Sequence, residues 1–115
     1  MNLFVCYPKC STCKKAKEYL ESKNISFEIR DIVLNNPKKE ELKKWLEKSD
    51  LDISKLYNTS GLVNKNNIIK EKRKKMNIDE QLELLSSNGM LVKRPLLITE
   101  DKVLVGFKKE EYDRL

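Results

Sequence analysis

The sequence contains no histidine. Ser-His-Asp triads, Cys-His dyads, His-ligated metals and imidazole general bases are therefore excluded. Any chemistry must come from cysteine, lysine, arginine, carboxylates, hydroxyls or the backbone. The chain also lacks an apolar run of the roughly 18 residues needed to cross a bilayer, so no membrane span is expected. The first residues, MNLFVCYPKC, lack the long apolar stretch of a secretory signal, and a cytoplasmic location is expected. There is no internal repeat, no linker and no low-complexity tail. At 115 residues the chain is read as one domain over 1–115, long enough to bury a core.

What is present is charge. Charged residues make up 37% of the chain and hydrophobic ones 39%, enough apolar sequence to argue against wholesale disorder. Lys and Arg number 24 against 18 Asp and Glu, a net charge of +6. The lysines are spread along the chain. The densest run, Lys70 to Lys75, still contains Glu71, and no aromatics interleave with it as on a base-stacking platform. The excess is read as solvated surface, and direct nucleic-acid binding is not expected.

Periodicity orders the segments. Asn2 to Cys6 reads as a buried strand ended by Tyr7-Pro8, and Ser11 to Lys23 as a helix capped by Ser11 or Cys10, with Cys13, Ala16, Tyr19 and Leu20 on one face. Ile25 to Val33 reads as a strand with Phe27, Ile29 and Ile32 inward. Pro37 sits near the first turn of a helix over about 38–48 striped by Leu42, Trp45 and Leu46. A short helical piece over 52–56 follows, then a turn at Asn58-Thr59-Ser60-Gly61, a lysine-rich surface helix over 64–75, and a helix over 79–87 stopped by Asn88-Gly89. Leu96 to Thr99 and Lys102 to Val105 form a hairpin, and a short helix covers 108–115. The order β-α-β, helical insert over about 38–88, then β-β-α, predicts an α/β fold: a four-stranded mixed sheet flanked by helices, with parallel strands in the first unit.

The three cysteines, Cys6, Cys10 and Cys13, are spaced C-x3-C-x2-C. That spacing also ligates the iron–sulfur cluster of radical S-adenosylmethionine enzymes, but those need a far larger partial barrel. Three cysteines without histidine leave a structural zinc set incomplete. Cys6 ends a strand and is expected to pack inward. Cys10-Ser11-Thr12-Cys13 is the informative part, because a C-x-x-C at a strand–loop–helix junction is the thioredoxin-like redox arrangement. Cys10 falls at the helix start, where unpaired backbone N–H groups and the dipole favour a thiolate, and Lys9, Lys14 and Lys15 add positive charge. Cys13 follows one turn later, placed to resolve what Cys10 attacks, though it also belongs to the helix's apolar stripe.

Lys93-Arg94-Pro95 precedes the third strand. In a thioredoxin-like fold the proline there is characteristically cis and faces the C-x-x-C loop, which would aim Arg94 at the cysteine to stabilise a thiolate or oxyanion. Read locally, Arg94 is equally an ordinary solvated cation and Pro95 a routine strand-start proline.

Four blocks together carry a resemblance: Tyr7-Pro8-Lys9-Cys10-Ser11-Thr12-Cys13-Lys14-Lys15-Ala16, Tyr57-Asn58-Thr59-Ser60-Gly61, Gly89-Met90-Leu91-Val92-Lys93-Arg94-Pro95-Leu96, and Val103-Leu104-Val105-Gly106-Phe107. In this order they resemble the arsenate reductase-like (ArsC/Spx) family of thioredoxin-fold proteins over essentially the whole chain. The resemblance implies a thioredoxin-like fold with the helical insert, and sets Arg94 and Pro95 beside Cys10. Glutaredoxin-coupled arsenate reductases of that family use one nucleophilic cysteine and three arginines. Cys10 and Arg94 match, whereas the other two arginine positions fall near Asn58 and Gly106, neither of them basic. Spx-type members are redox-switched transcriptional regulators that bind the RNA polymerase α subunit. The chain resembles the reductase-like branch, without the longer basic C-terminal extension of Spx.

The expected function is a thiol-disulfide oxidoreductase with Cys10 as nucleophile, Cys13 as resolving thiol and Arg94 as anion holder, supported by Ser11, Thr12, Lys14 and Pro95. The substrate would be a disulfide or a small oxyanion. No bound cofactor is expected. Glutathione with glutaredoxin, or thioredoxin, would serve as the thiol reductant. An Spx-like regulator and a genuine arsenate reductase are the alternative readings.

Overall fold

A computed structural model describes residues 2–58 and 74–115. The turn expected at residues 58–61, beyond Asn58, and nearly all of the helix expected over 64–75 lie outside the described residues. β1 (Asn2–Cys6), α1 (Ser11–Ser22) and β2 (Phe27–Asp31) form the first unit. α2 (Lys39–Ser49), a 3-10 turn (Ile53–Leu56), α3 (Ile78–Ser87) and a second 3-10 turn (Gly89–Leu91) follow. β3 (Leu96–Ile98), β4 (Val103–Val105) and α4 (Lys109–Tyr112) close the fold. The sheet order is β2-β1-β3-β4, with β1 parallel to β2 and antiparallel to β3, and β3 antiparallel to β4. This is the four-stranded mixed sheet with flanking helices that the element order predicted.

The period of two in a strand sends neighbouring side chains to opposite faces. In β1 both faces are covered, so Phe4 and Val5 are each fully buried. Val5, Leu96 and Ile98 pack with Leu42 and Trp45 of α2 and Leu82 and Leu85 of α3. Phe4, Cys6 and Leu97 pack on the opposite face with Cys13, Ala16 and Leu20 of α1 and with Tyr112 of α4.

One expected detail changes. Ile29 is half exposed rather than inward, because β2 is the sheet's outer strand and no layer covers it there. The buried apolar residue of that segment is Ile32, just past the strand. Pro37 stands before α2 and Lys38 is its N-cap, whose backbone N–H donates to Glu41.

The Asn88-Gly89 stop also works differently. Asn88 is extended (φ −156°) and its side chain accepts from the Met90 N–H, starting the second 3-10 turn. A Cβ on Gly89 would lie 1.8 Å from the Ile32 carbonyl oxygen, so glycine is needed for close backbone approach and not for a left-handed cap. That approach docks the segment before β3 onto the loop after β2. The segment is further held by pairing with the end of the first 3-10 turn: Tyr57 bridges Val92, the Asn58 N–H donates to Leu91, and the Lys93 N–H donates to Leu56. These bonds bring Asn58, Lys93 and Arg94 to the same end of the sheet as the α1 N-terminus.

Candidate active site

Cys10 is the N-cap of α1, extended (φ −84°, ψ 124°), and makes no side-chain capping bond. Its backbone N–H donates to Tyr7, closing the turn that lifts the chain from β1 into the helix. Helical spacing then carries Cys13 under the turn, where its sulfur accepts the Tyr7 backbone N–H at 3.4 Å. All three cysteines are free thiols, Cys10 half-buried and Cys6 and Cys13 buried.

The two buried thiols face one another between β1 and α1. Contact with the Cys6 thiol and burial together push the Cys13 thiol well above the ordinary range, and the opposing pull of the Tyr7 N–H and Cys10 is smaller. The same Cys13 contact draws Cys6 downward. Cys13 is therefore a protonated thiol at neutral pH, held behind Cys10. Cys6 packs inward as expected, but it also sets the protonation of Cys13, which sequence pattern alone did not reveal.

In front of Cys10 lies a cleft of about 250 Å3 whose wall includes Thr12, Asn58, Arg94 and Gly106. Lys93 and Lys108 complete a cationic rim. The Arg94–Pro95 peptide bond is cis. The Arg94 guanidinium sits over the Tyr7 ring, 5.1 Å from its centroid, and reaches the Met90 carbonyl only at 3.4 Å. Among the described residues it has no carboxylate partner, so stacking holds it in place while its forked donors remain available for an anion. Gly106 adopts φ +76°, a left-handed conformation that suits glycine, and donates its N–H to Pro95.

Of the residues singled out from sequence, Cys10, Thr12 and Arg94 line this cleft, Pro95 is buried beside it, and Cys13 lies beneath Cys10. Ser11 and Lys14 are exposed on α1 and do not line it. Tyr7, Lys93 and Lys108 were missed as contributors. Lys93 stood next to Arg94 in the sequence, but Lys108 comes to the cleft only through closure of the β3–β4 hairpin. No group of three or more His, Cys, Asp or Glu side chains among the described residues is arranged to hold a metal ion. No helix among them is long and apolar enough to cross a membrane.

A four-stranded mixed sheet with C-x-x-C at the first helix start and a cis-proline before the third strand is a thioredoxin-like architecture. The chain belongs to the ArsC family, whose model matches residues 6–115. A solved ArsC family related protein from Bacteroides fragilis is similar at 50% identity with a TM-score of 0.92, covering 98% of this chain and 95% of that one. The uncharacterized protein YusI of Bacillus subtilis is 49% identical over 96% of this chain and 93% of its own. The regulatory protein MgsR of Bacillus subtilis is 31% identical over 97% of this chain and 87% of its own.

Proposed function

We propose that the protein is a thiol-disulfide oxidoreductase of the ArsC family. The observation that carries this reading is the asymmetry of the C-x-x-C: a half-buried Cys10 in a cationic cleft, backed by a buried Cys13 whose thiol stays protonated. The Cys10 thiolate attacks one sulfur of a substrate disulfide, forming a mixed disulfide and expelling the other half as a thiolate. Cys13 then attacks the Cys10 sulfur. Its proton passes to the second departing thiolate, the first takes up from solvent the proton Cys10 released on ionising, and the products are two free thiols and a Cys10–Cys13 disulfide. Arg94 orients the anionic end of the substrate and stabilises the expelled thiolate, with Thr12 at the mouth of the cleft. A thiol reductant, glutathione with glutaredoxin or thioredoxin, restores the dithiol. The reducing cytoplasm is the compartment this cycle needs.

The likeness to the regulatory protein MgsR supports a second reading, a regulator in which the same Cys10–Cys13 pair is a redox switch, and the Spx resemblance would make the RNA polymerase α subunit its partner. Arsenate reduction is the less favoured use of the cleft, because Asn58 and Gly106 offer no charge near the positions where the resemblance implies two further arginines holding the oxyanion.

The deciding experiment mixes the reduced protein with a generic small disulfide and follows thiol release and the mass of the protein. Turnover with a Cys10–Cys13 disulfide as the oxidised product is expected. Absence of that disulfide, or full turnover by Cys10→Ser, overturns the reading. Oxidation-dependent binding to polymerase α without turnover would favour the regulator.

A further inference from the structure

The Cys10 cleft does not end at Cys10. Lys93, Val105 and Lys108 also line a second, larger trough of about 430 Å3 that runs along β4. Every residue from Asp101 to Val105 contributes to it, and its opposite wall is the C-terminal end of α2 with Lys55 of the first 3-10 turn. β4 is the outer strand of the sheet, paired to β3 on one side and to no strand on the other among the described residues. An outer strand presents a row of backbone donors and acceptors to whatever lies beside it.

The charge of the trough is equally specific. Lys48, Lys55, Lys93, Lys102 and Lys108 line it, against Asp101 and Glu111, leaving a net charge of +3. None of these five lysines forms an ion pair among the described residues. The Lys48 ammonium donates to the Thr99 carbonyl at 2.6 Å, which fixes its charge at the strand end. No aromatic ring lines this trough, so it offers no stacking surface for bases.

We propose that this trough is the recognition site for an acidic, extended polypeptide segment of a protein substrate, laid along β4 with its disulfide delivered into the Cys10 cleft. The strand edge would supply main-chain hydrogen bonds, the lysines would select carboxylates, and shared walls would set the distance to the nucleophile. At about 3.3 Å per residue, the three residues of β4 guide a segment for roughly 10 Å from the cleft. The inference rests on the oxidoreductase reading for its chemistry, but not for its binding step.

The test uses short synthetic peptides, each with one cysteine in a disulfide to a chromogenic thiol and flanked on one side by acidic, neutral or basic residues. Turnover of each peptide is compared with that of the same disulfide without a peptide, and a fluorescent acidic peptide lacking cysteine reads binding directly. The acidic peptide is expected to be preferred over the neutral one by about tenfold in kcat/KM, carried by KM and diminished at high salt. In Lys55→Glu/Lys102→Glu the preference is expected to invert toward the basic peptide, an outcome that misfolding would not produce. Equal use of acidic and neutral peptides, or an unchanged preference in the double variant, overturns the proposal. So does displacement of the bound acidic peptide by single-stranded RNA at similar concentration. If no disulfide is turned over at all, the oxidoreductase reading fails, and tight, salt-sensitive binding of the cysteine-free peptide still decides the trough.

Discussion

Among the described residues, two part-buried arginines stand in opposite circumstances. Arg30, on the outer strand β2, grips Glu41 of α2 through both ends of its fork, at 2.6 and 2.8 Å, and donates to the Asn35 and Asn36 carbonyls as well. Its donors are committed to joining sheet, loop and helix. Arg94, on the other side of β1 just before β3, lies over an aromatic ring beside a half-buried cysteine and has no carboxylate partner among the described residues. The cysteines repeat the contrast. Cys13 is buried against Cys6 and kept protonated, while Cys10 stands in the cleft. The same side chain has its polar groups committed where the fold provides its partner and left open to a cleft where it does not.

The sharpest way to break this contrast is at sulfur. Cys10→Ser is expected to lower disulfide turnover by at least ~10³-fold, measured as thiol release, since no other thiol is exposed in the cleft. Cys13→Ser should leave the first attack intact and halt the second, so that a Cys10 mixed disulfide accumulates and appears as added mass. If Cys13→Ser instead turns over at the wild-type rate without accumulating an adduct, Cys13 has no resolving role.

Arg94→Gln comes next. A fall of roughly tenfold to a hundredfold in kcat/KM is expected for a disulfide carrying a carboxylate near the sulfur, with a much smaller fall for a neutral one. Equal losses on both substrates would make Arg94 a packing residue like Arg30.

The smallest effect belongs to the structural pair. Glu41→Gln should lower stability by about 1 kcal/mol at neutral pH, seen as an earlier denaturant midpoint, because the pair is partly open to solvent. The Arg30 guanidinium holds the Glu41 carboxyl below its ordinary value. The ionised form is thus the one the fold favours. Its contribution is complete above the ordinary glutamate value of about 4.3 and is lost as pH falls through the lowered folded value. The gap between wild type and Glu41→Gln should therefore close in acid, and a gap that persists there would assign the loss to packing.

Much of the fold was legible because its signals are local. Strand alternation, helical stripes and the run from β-α-β to β-β-α depend on neighbours within a few residues, and the observed sheet follows them. The failures mark non-local decisions. Ile29 reads as inward from alternation, but whether a face is covered depends on which strand lies at the edge. Gly89 reads as a helix stop, whereas its requirement comes from the Ile32 carbonyl in a loop far away in the chain. In the candidate site, Cys10 and Cys13 could be named from residue type and spacing, whereas Arg94 beside Cys10 came from the family resemblance, its local sequence being equally that of a solvated cation. Tyr7 under Arg94, and Lys108 at the rim, could not be named, since stacking and hairpin closure leave no trace at fixed spacing.

The sequence by itself determined the repertoire. The absence of histidine excludes imidazole chemistry, and C-x-x-C at a helix start makes sulfur the candidate nucleophile. Only the tertiary structure decided the assignments within that repertoire. It paired Cys6 with Cys13 across β1 and α1, pressed Arg94 onto Tyr7, and joined the Cys10 cleft to a lysine-lined trough along an open strand. The physical reason is that reactivity here depends on burial and on which charge meets which partner. Both are set by contacts between segments that are distant in sequence.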